Sequence, residues 1–265
     1  MAGAPDHNND VAKDRQFAST LAHGIDILLA YRAGESLLGN KDFVLRTGLS
    51  KSTVARLTHT LTVLGYLRHD VALGKYRLGA PVLAPAYPLL AGMPIRQLAR
   101  PLMQTLANEI GGAVSLGVRD RTEMLYVETA RATDGLVMAP DIGAALPMLT
   151  TAIGKAWLCR APADARETVL NRLRLQDPDA VRRAAPALAQ ASKDLAQLGY
   201  CVNGVEWRHD LFGFAVPLCK PVDSQWFAVN CGVPAQPGMF HTVEKFVGPR
   251  LVTIAHRLEV LLGLR

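Results

Sequence analysis

Apolar residues recur every three or four positions in the first part of the chain, which is the spacing of helices with one buried side. The pattern predicts a first helix that has Ser19 as its N-cap and stops at Gly34. Its apolar positions are Leu21, Ile25, Leu28 and Leu29. Ahead of this helix, residues 1 to 17 are mostly polar and are expected to form a flexible tail.

Two more helices follow closely. Residues 40 to 47 predict a short helix, and Gly48 suits the left-handed residue that ends it. Ser50 is placed to cap the next helix and Gly65 to close it. The predicted buried stripe of that helix is Val54, Leu57, Leu61 and Leu64, and the side away from the stripe carries Lys51, Ser52, Arg56, His59 and Thr60. Two helices joined by a turn of about four residues that contains glycine are typical of a helix-turn-helix.

The segments on either side of Val71–Gly74 predict a hairpin, the wing of a winged helix-turn-helix. A recognition helix presents its first residues to base edges in the major groove, and cations at its margins neutralise phosphates. We therefore expect DNA contacts from Arg46, Ser50, Lys51, Ser52, Thr53, Arg56, Lys75 and Arg77, with Arg56 facing either a guanine or a phosphate. The alternative is a three-helix packing element whose cations are merely solvated.

The position of the net charge favours a polyanionic partner. Residues 15 to 80 hold nine basic and four acidic residues, so this segment carries +5 of the chain's total of +6. A basic segment beside a nearly neutral remainder is expected where one end of a protein meets nucleic acid. Charge alone does not separate a sequence-specific regulator from a non-specific, architectural nucleic-acid binder.

After residue 80 the pattern changes, and four prolines crowd into residues 81 to 94. We expect a linker and connecting helix over residues 81 to 108, with Pro101 opening the helix, between a DNA-binding domain at residues 18 to 80 and a second domain at residues 109 to 265. The second domain alternates predicted strands, including one at Leu136–Met138, with helices at residues 154–160, 163–173, 186–198 and 242–262. That order predicts a mixed α/β fold with an antiparallel sheet.

Three features of the second domain suggest a small-molecule pocket. Thr150 and Thr151 precede a predicted helix start, so the backbone amides of Ala152 and Ile153 are free to hold a carboxylate. Apolar surface is expected beside them from Met138, Leu146, Met148, Trp207 and Leu211, and polar anchors from Asn203, Asn230 and the Gly232 backbone. The alternative is that the apolar residues fill the core and the asparagines cap turns.

Other classes of protein have weaker support. The chain contains no run of about 18 apolar residues, which a membrane span would need, and its polar start does not resemble a secretion signal. We therefore expect a cytoplasmic protein without a membrane partner.

The four cysteines are 42, 18 and 12 residues apart, without C-x-x-C spacing. They are interpreted as small buried hydrophobic residues, with a thiol sensor or a metal site as alternatives. Neither G-x-S-x-G nor H-E-x-x-H occurs, so we expect no enzyme and no cofactor. An enzyme on the α/β domain, with the basic module as an accessory, is the alternative.

Residues 18 to 262 resemble the IclR-type bacterial transcriptional regulators. Four segments carry the resemblance, in the order and spacing of that family: GLSKSTVARLTHTLTVLGYL, KYRLG, TTAIGKAWL and LGYCVNGVEWRHDLFGFAVPL. The resemblance implies a winged helix-turn-helix followed by a GAF-like effector domain, dimers or tetramers, and control of catabolic genes through double-stranded operator DNA. It also implies operator contacts at Lys51, Thr53 and Arg56.

The same resemblance implies effector contacts at Leu136, Met138, Leu146, Ala152, Ile153, Asn203, Leu211, Gly213, Asn230, Cys231 and Gly232. Several of these depart from the family's pattern: Asn203 stands where an acidic residue is frequent, and Asn230 and Gly232 stand where hydroxyls occur. Trp226 and Phe227 are expected on the sheet face near the pocket. Together these features favour a small organic acid, aromatic or apolar in part, as the effector.

Overall fold

The computed structural model describes residues 16–132, 140–204 and 206–265, and its internal contacts divide the chain into two units at Gly92 and Met93. Each unit has its own core and is described separately. Across the described residues, no helix combines the length and the apolar character that a membrane crossing requires.

The first unit has the predicted order of three helices and a hairpin. Its helices are α1 (Ser19–Leu29), α2 (Asn40–Thr47) and α3 (Lys51–Val63), followed by the antiparallel strands β1 (Leu67–Asp70) and β2 (Lys75–Leu78). A 3₁₀ turn (Ala80–Leu83) and a short helix α4 (Ala86–Ala91) complete it. The winged helix-turn-helix architecture predicted from the sequence is confirmed.

Local chemistry explains the turn between α2 and α3. Gly48 has a φ of 70°, the left-handed conformation that ends α2 without a steric penalty. Ser50 is extended, and its hydroxyl accepts a hydrogen bond from the Thr53 amide at 3.2 Å, which caps α3. These two residues set the direction in which α3 leaves the turn.

The first unit differs from the prediction in α1 and at the end of α3. On α1, the predicted apolar positions Leu21, Ile25 and Leu29 are exposed rather than buried. Helix α1 ends at Leu29 rather than at Gly34. Leu64 is 60% exposed, because α3 ends at Val63 and the chain turns at Gly65 with a φ of 80°. The buried core consists of Ile27, Leu38, Phe43, Val54, Leu57, Leu61 and Leu67. Leu38 also exchanges backbone hydrogen bonds with Tyr76 at 2.8 and 2.9 Å, so it adds a one-residue bridge to β2 that the sequence pattern did not predict.

The second unit is a six-stranded antiparallel sheet with helices packed against it. The strands are β3 (Ala113–Asp120), β4 (Glu123–Arg131), β5 (Ala145–Pro147), β6 (Cys201–Asn203), β7 (Leu211–Pro217) and β8 (Phe227–Pro234), in the order β5-β4-β3-β8-β7-β6. The helices are α5 (Pro94–Ile110), α6 (Ala152–Arg160), α7 (Ala163–Gln176), α8 (Pro178–Leu198) and α9 (Phe240–Leu261). The predicted mixed α/β fold is confirmed, and the strand predicted at Leu136–Met138 lies outside the described residues.

Two prolines predicted to open helices lie inside them instead. Pro101 is within α5, which begins at Pro94, and Pro186 is within α8, which begins at Pro178. In α8 the Asp177 carboxylate caps the first turn by accepting from the Ala180 amide at 2.8 Å. Buried side chains on both sides of each proline keep the helix continuous, because their packing outweighs the one missing hydrogen bond.

Small residues on one face of the sheet make room for α6. The register aligns Ala113 with Gly232 and Gly232 with Gly213 across three neighbouring strands. A Cβ added at Gly213 would lie 3.6 Å from the Cβ of Ala152, and one added at Gly117 would lie 2.6 Å from the Ile153 side chain. The start of α6 therefore approaches this face closely, and a cavity lies beside it.

Candidate functional site

The exposed start of α3 is the first candidate site, and hydroxyl groups dominate it. The Ser50 hydroxyl lies 3.0 Å from that of Ser52 and 2.9 Å from that of Thr53, in addition to capping the helix. Lys51 and Arg56 are exposed on the same helix. Ser50, Lys51, Ser52, Thr53 and Arg56 therefore share one end of α3, with the cationic groups in water.

The five predicted DNA-contacting cations fall into two groups. In the described part of the chain, no carboxylate lies within ion-pair distance of Lys51, Arg56 or Lys75. Arg77 on β2, by contrast, pairs with Asp70 on β1 at 3.0 Å. Arg46 pairs with Glu35 at 2.5 and 2.8 Å and also donates to the Ala30 carbonyl at 2.7 Å.

The Arg46–Glu35 pair connects α2 to the segment that follows α1. Hydrogen bonds from the Arg46 guanidinium lower the pKa of Glu35 from its ordinary value of 4.5 to about 2. Because the guanidinium binds the carboxylate through two nitrogens, Arg46 has a structural partner inside its own unit.

The second candidate site is a small cavity of about 40 Å³, partly open to solvent, between the small-residue face of the sheet and the start of α6. It brings together eight of the predicted effector-contacting residues: Leu146, Ala152, Asn203, Leu211, Gly213, Asn230, Cys231 and Gly232. Leu136 and Met138 lie outside the described residues. Ile153 does not line the cavity, because its fully buried side chain packs at Gly117.

The cavity wall includes residues that the sequence interpretation missed. They are Ala113, Ser115, Tyr126, Pro140 and Phe212. Ser115 is the cross-strand neighbour of Asn230, so a correct strand register would have found it. Trp226 and Phe227 are not among the described lining residues, and Met148 is buried in the core. Trp207 provides the indole at the wall.

Polar groups on the cavity wall are neutral and hydrogen-bonded. The Asn230 amide donates to the Tyr126 hydroxyl at 2.6 Å, and the Ser115 and Thr129 hydroxyls lie 3.0 Å apart. Burial raises the pKa of Tyr126, so its hydroxyl stays protonated and remains able to donate. No described lining residue carries a charged side chain.

The first turn of α6 supplies backbone donors at the same cavity. Thr151 caps the helix by accepting from the Gly154 amide at 3.2 Å, and its own hydroxyl donates to the Pro147 carbonyl at 2.7 Å. The first amides of a helix have no partner within the helix, and for Ala152 and Ile153 no acceptor is found among the described residues. Ala152 lines the cavity, so the positive end of the helix dipole faces its edge.

A buried lysine lies one turn further along α6. The Lys155 side chain is only 3% exposed, and its ammonium pairs with Glu206 and lies 3.4 Å from the Val202 carbonyl. With its amide nitrogen placed to donate, Asn203 binds the Thr150 carbonyl at 2.8 Å and Glu206 at 3.1 Å. This network attaches the loop after β6 to α6, and that loop carries Trp207.

Comparisons with known proteins identify both units. The model of the IclR helix-turn-helix domain matches residues 20–71, and the model of the bacterial transcriptional regulator IclR C-terminal domain matches residues 88–246. The chain belongs to the IclR family of bacterial transcriptional regulators. Members of this family are DNA-binding regulators and not enzymes, so the alternative of an enzyme is rejected.

Similar proteins cover nearly all of this IclR-family chain. The HTH-type transcriptional regulator TsaQ1/TsaQ2 of Comamonas testosteroni is 33% identical over 91% of the chain and 87% of its own length. A crystal structure of an IclR-family regulator from Brucella abortus is 35% identical and covers 96% of both chains, with a TM-score of 0.78. An IclR homologue from Microbacterium hydrocarbonoxydans, solved with 4-hydroxybenzoate, covers 91% of this chain and 99% of its own. That homologue shares the fold at 24% identity and a TM-score of 0.62.

Proposed function

We propose that this IclR-family protein is a cytoplasmic, ligand-responsive regulator that binds double-stranded operator DNA through α3 and the wing. The observation that carries the proposal is that Lys51, Arg56 and Lys75 are exposed and have no carboxylate partner among the described residues. A cation that neutralises a phosphate releases counterions condensed on the DNA, whereas Arg46 and Arg77 must first give up a partner. The hydroxyls of Ser52 and Thr53 lie beside Lys51, where the first residues of a recognition helix reach base edges.

A second copy of the chain fits the exposed side of α1. Leu21, Ile25 and Leu29 recur at every fourth residue and are 66%, 47% and 71% exposed, so they form an apolar stripe in water. Pairing two such stripes buries them and gives the two-fold symmetry that most DNA-binding dimers have. A dimer of this kind places two recognition helices about 34 Å apart and favours a pseudo-palindromic operator.

The cavity supports a small organic acid as the effector. The free amides at the start of α6 suit a carboxylate, while Trp207, Phe212 and Leu211 offer apolar surface to a ring. The Tyr126 and Asn230 pair suits a polar substituent on that ring. The 4-hydroxybenzoate in the Microbacterium homologue has this combination of groups, and control of catabolic genes agrees with such a ligand.

The DNA-binding part of the proposal is tested by selecting duplexes from a random-sequence library with the full-length protein. We expect a pseudo-palindromic sequence to be enriched, bound at least about 10³-fold more tightly than a scrambled duplex at the same salt concentration. Equal affinity for the selected and scrambled duplexes would instead identify a non-specific, architectural binder.

The ligand part is tested by thermal unfolding with 4-hydroxybenzoate and, as its matched neutral control, 4-hydroxybenzamide. A ligand present at 100 times its Kd stabilises by about 2.7 kcal/mol, so the acid should raise the Tm and the amide should not. An equal rise with both compounds would contradict the carboxylate position at α6. If neither 4-hydroxybenzoate nor related aromatic acids raise the Tm, the proposed effector class is wrong.

A further inference from the structure

Two cysteines far apart in sequence contact neighbouring residues of α8. Cys159 is near the end of α6 and Cys201 begins β6, which are the elements that carry Ala152 and Asn203 to the cavity wall. The Cys159 sulfur lies 3.3 Å from the Ser192 hydroxyl. The Cys201 sulfur donates to the carbonyl of Ala191, the preceding residue of α8, at 3.6 Å. Consecutive residues of one helix thus hold both sulfurs.

The two thiols differ in their exposure. Cys159 is partly exposed, whereas Cys201 is fully buried. The neighbouring Cys201 thiol, assisted by Ser192 and by the charge of Arg166, lowers the pKa of Cys159 to about 7, although burial and Asp194 oppose the shift. The neighbouring Cys159 and burial raise the pKa of Cys201. The accessible sulfur is therefore the more acidic of the two, and the buried sulfur keeps its proton.

We propose that Cys159 and Cys201 form an oxidation site at which a hydroperoxide converts the thiol pair into a disulfide. The Cys159 thiolate attacks hydrogen peroxide, so an S–O bond forms, the O–O bond breaks, and hydroxide leaves to become water. Cys201 then attacks the sulfenic acid, so the S–S bond forms, the S–O bond breaks, and a second water leaves with the Cys201 proton. In sum, two thiols and one peroxide give one disulfide and two waters.

The disulfide would join the end of α6 directly to β6. Because α6 and β6 supply Ala152 and Asn203 to the cavity, oxidation would fix the spacing of two of its walls. The other two cysteines lack this arrangement. Cys231 is fully buried, and burial raises the pKa of Cys219, whose backbone amide donates to Glu259 at 2.7 Å.

The site is tested with the full-length protein by titrating it with hydrogen peroxide, blocking free thiols with N-ethylmaleimide, and mapping peptides without reduction. We expect a cross-linked peptide pair that contains Cys159 and Cys201 and disappears with dithiothreitol. Cys219→Ser should form the same cross-link and serves as the matched control. Cys201→Ser should instead accumulate a Cys159 sulfenic acid that dimedone traps.

Two results would overturn the proposal: no reaction of Cys159 under peroxide that oxidises a free thiol standard, or oxidation of Cys159 to sulfinic acid while Cys201 stays a free thiol. Circular dichroism of each variant shows whether it is folded. The thiol chemistry is measured without DNA or effector, so the outcome is independent of the proposed function.

Discussion

The exposed end of α3 carries charged side chains, whereas the described lining of the cavity in the second unit is uncharged. At α3, Lys51 and Arg56 stand in water without a carboxylate partner among the described residues. At the cavity, the described lining is uncharged, and the nearby Lys155 is buried and paired with Glu206. A surface for a polyanion gains from exposed cations, because they neutralise phosphates and release the counterions condensed on the polyanion. A pocket for a small molecule gains from neutral groups, because buried charges require partners of their own.

Breaking the Lys155–Glu206 pair should have the largest effect. Among the described residues, Glu206→Ala leaves the buried ammonium with the Val202 carbonyl as its partner, so we expect the free energy of unfolding to fall by about 2 to 3 kcal/mol. The loss is below that of a fully buried pair, because the Glu206 side chain is 48% exposed. Urea unfolding followed by tryptophan fluorescence measures the change.

A double-mutant cycle separates this charge effect from packing. Lys155→Met fills the same volume without a charge, so it should change the stability by less than about 1 kcal/mol. Adding Glu206→Ala to Lys155→Met should then cost clearly less than Glu206→Ala alone. Additive losses would show that Glu206 acts through the loop backbone and not through the ammonium.

Removing a cation at α3 should affect binding rather than folding. Arg56→Ala should weaken operator binding by about 1 to 3 kcal/mol and leave the unfolding midpoint unchanged, because the side chain is exposed and no carboxylate partner is found for it among the described residues. Gel-shift titration against the selected duplex measures the loss. Arg172→Ala removes an exposed arginine of the second unit and should leave the affinity unchanged. Unchanged binding by Arg56→Ala would exclude this residue from the interface.

Local signals in the sequence predicted the elements of the fold better than the partners of the residues. Gly48 and Ser50 specify their turn with chemistry contained in a few neighbouring residues, so α2, α3 and the wing were predicted with nearly correct bounds. The ends of α1, α5 and α8 were less predictable, because tertiary packing decides whether a helix continues past a proline or stops early.

The candidate site shows the same limit. Eight of the residues that line the cavity were predicted. Six of them followed from local features of the sequence, and the family resemblance added Gly213 and Cys231. Ser115 and Tyr126 were missed, since finding them requires the register of β3 against its two neighbours. The pairing of Arg46 with Glu35 depends on the packing of the segment after α1 against α2, which hydrophobic spacing does not encode.

Breaking the Arg46–Glu35 pair should have the smallest effect on stability. This test compares a paired cation of the first unit with the cations at α3 for which no carboxylate partner is found among the described residues. The pKa of Glu35 in the folded protein is about 2, below its ordinary value of 4.5. The ion pair's contribution to stability is therefore fully present above pH 4.5 and is lost as the pH falls toward 2. Glu35→Gln should therefore lower the Tm at neutral pH, and the difference from the natural chain should shrink across that acid range. The effect is small because both side chains are partly open to water. Glu167→Gln, which removes an exposed carboxylate paired with Arg174, controls for the loss of one surface charge. A Tm difference for Glu35→Gln that is the same at pH 7 and pH 2 would show that the variant acts through packing and not through the ion pair.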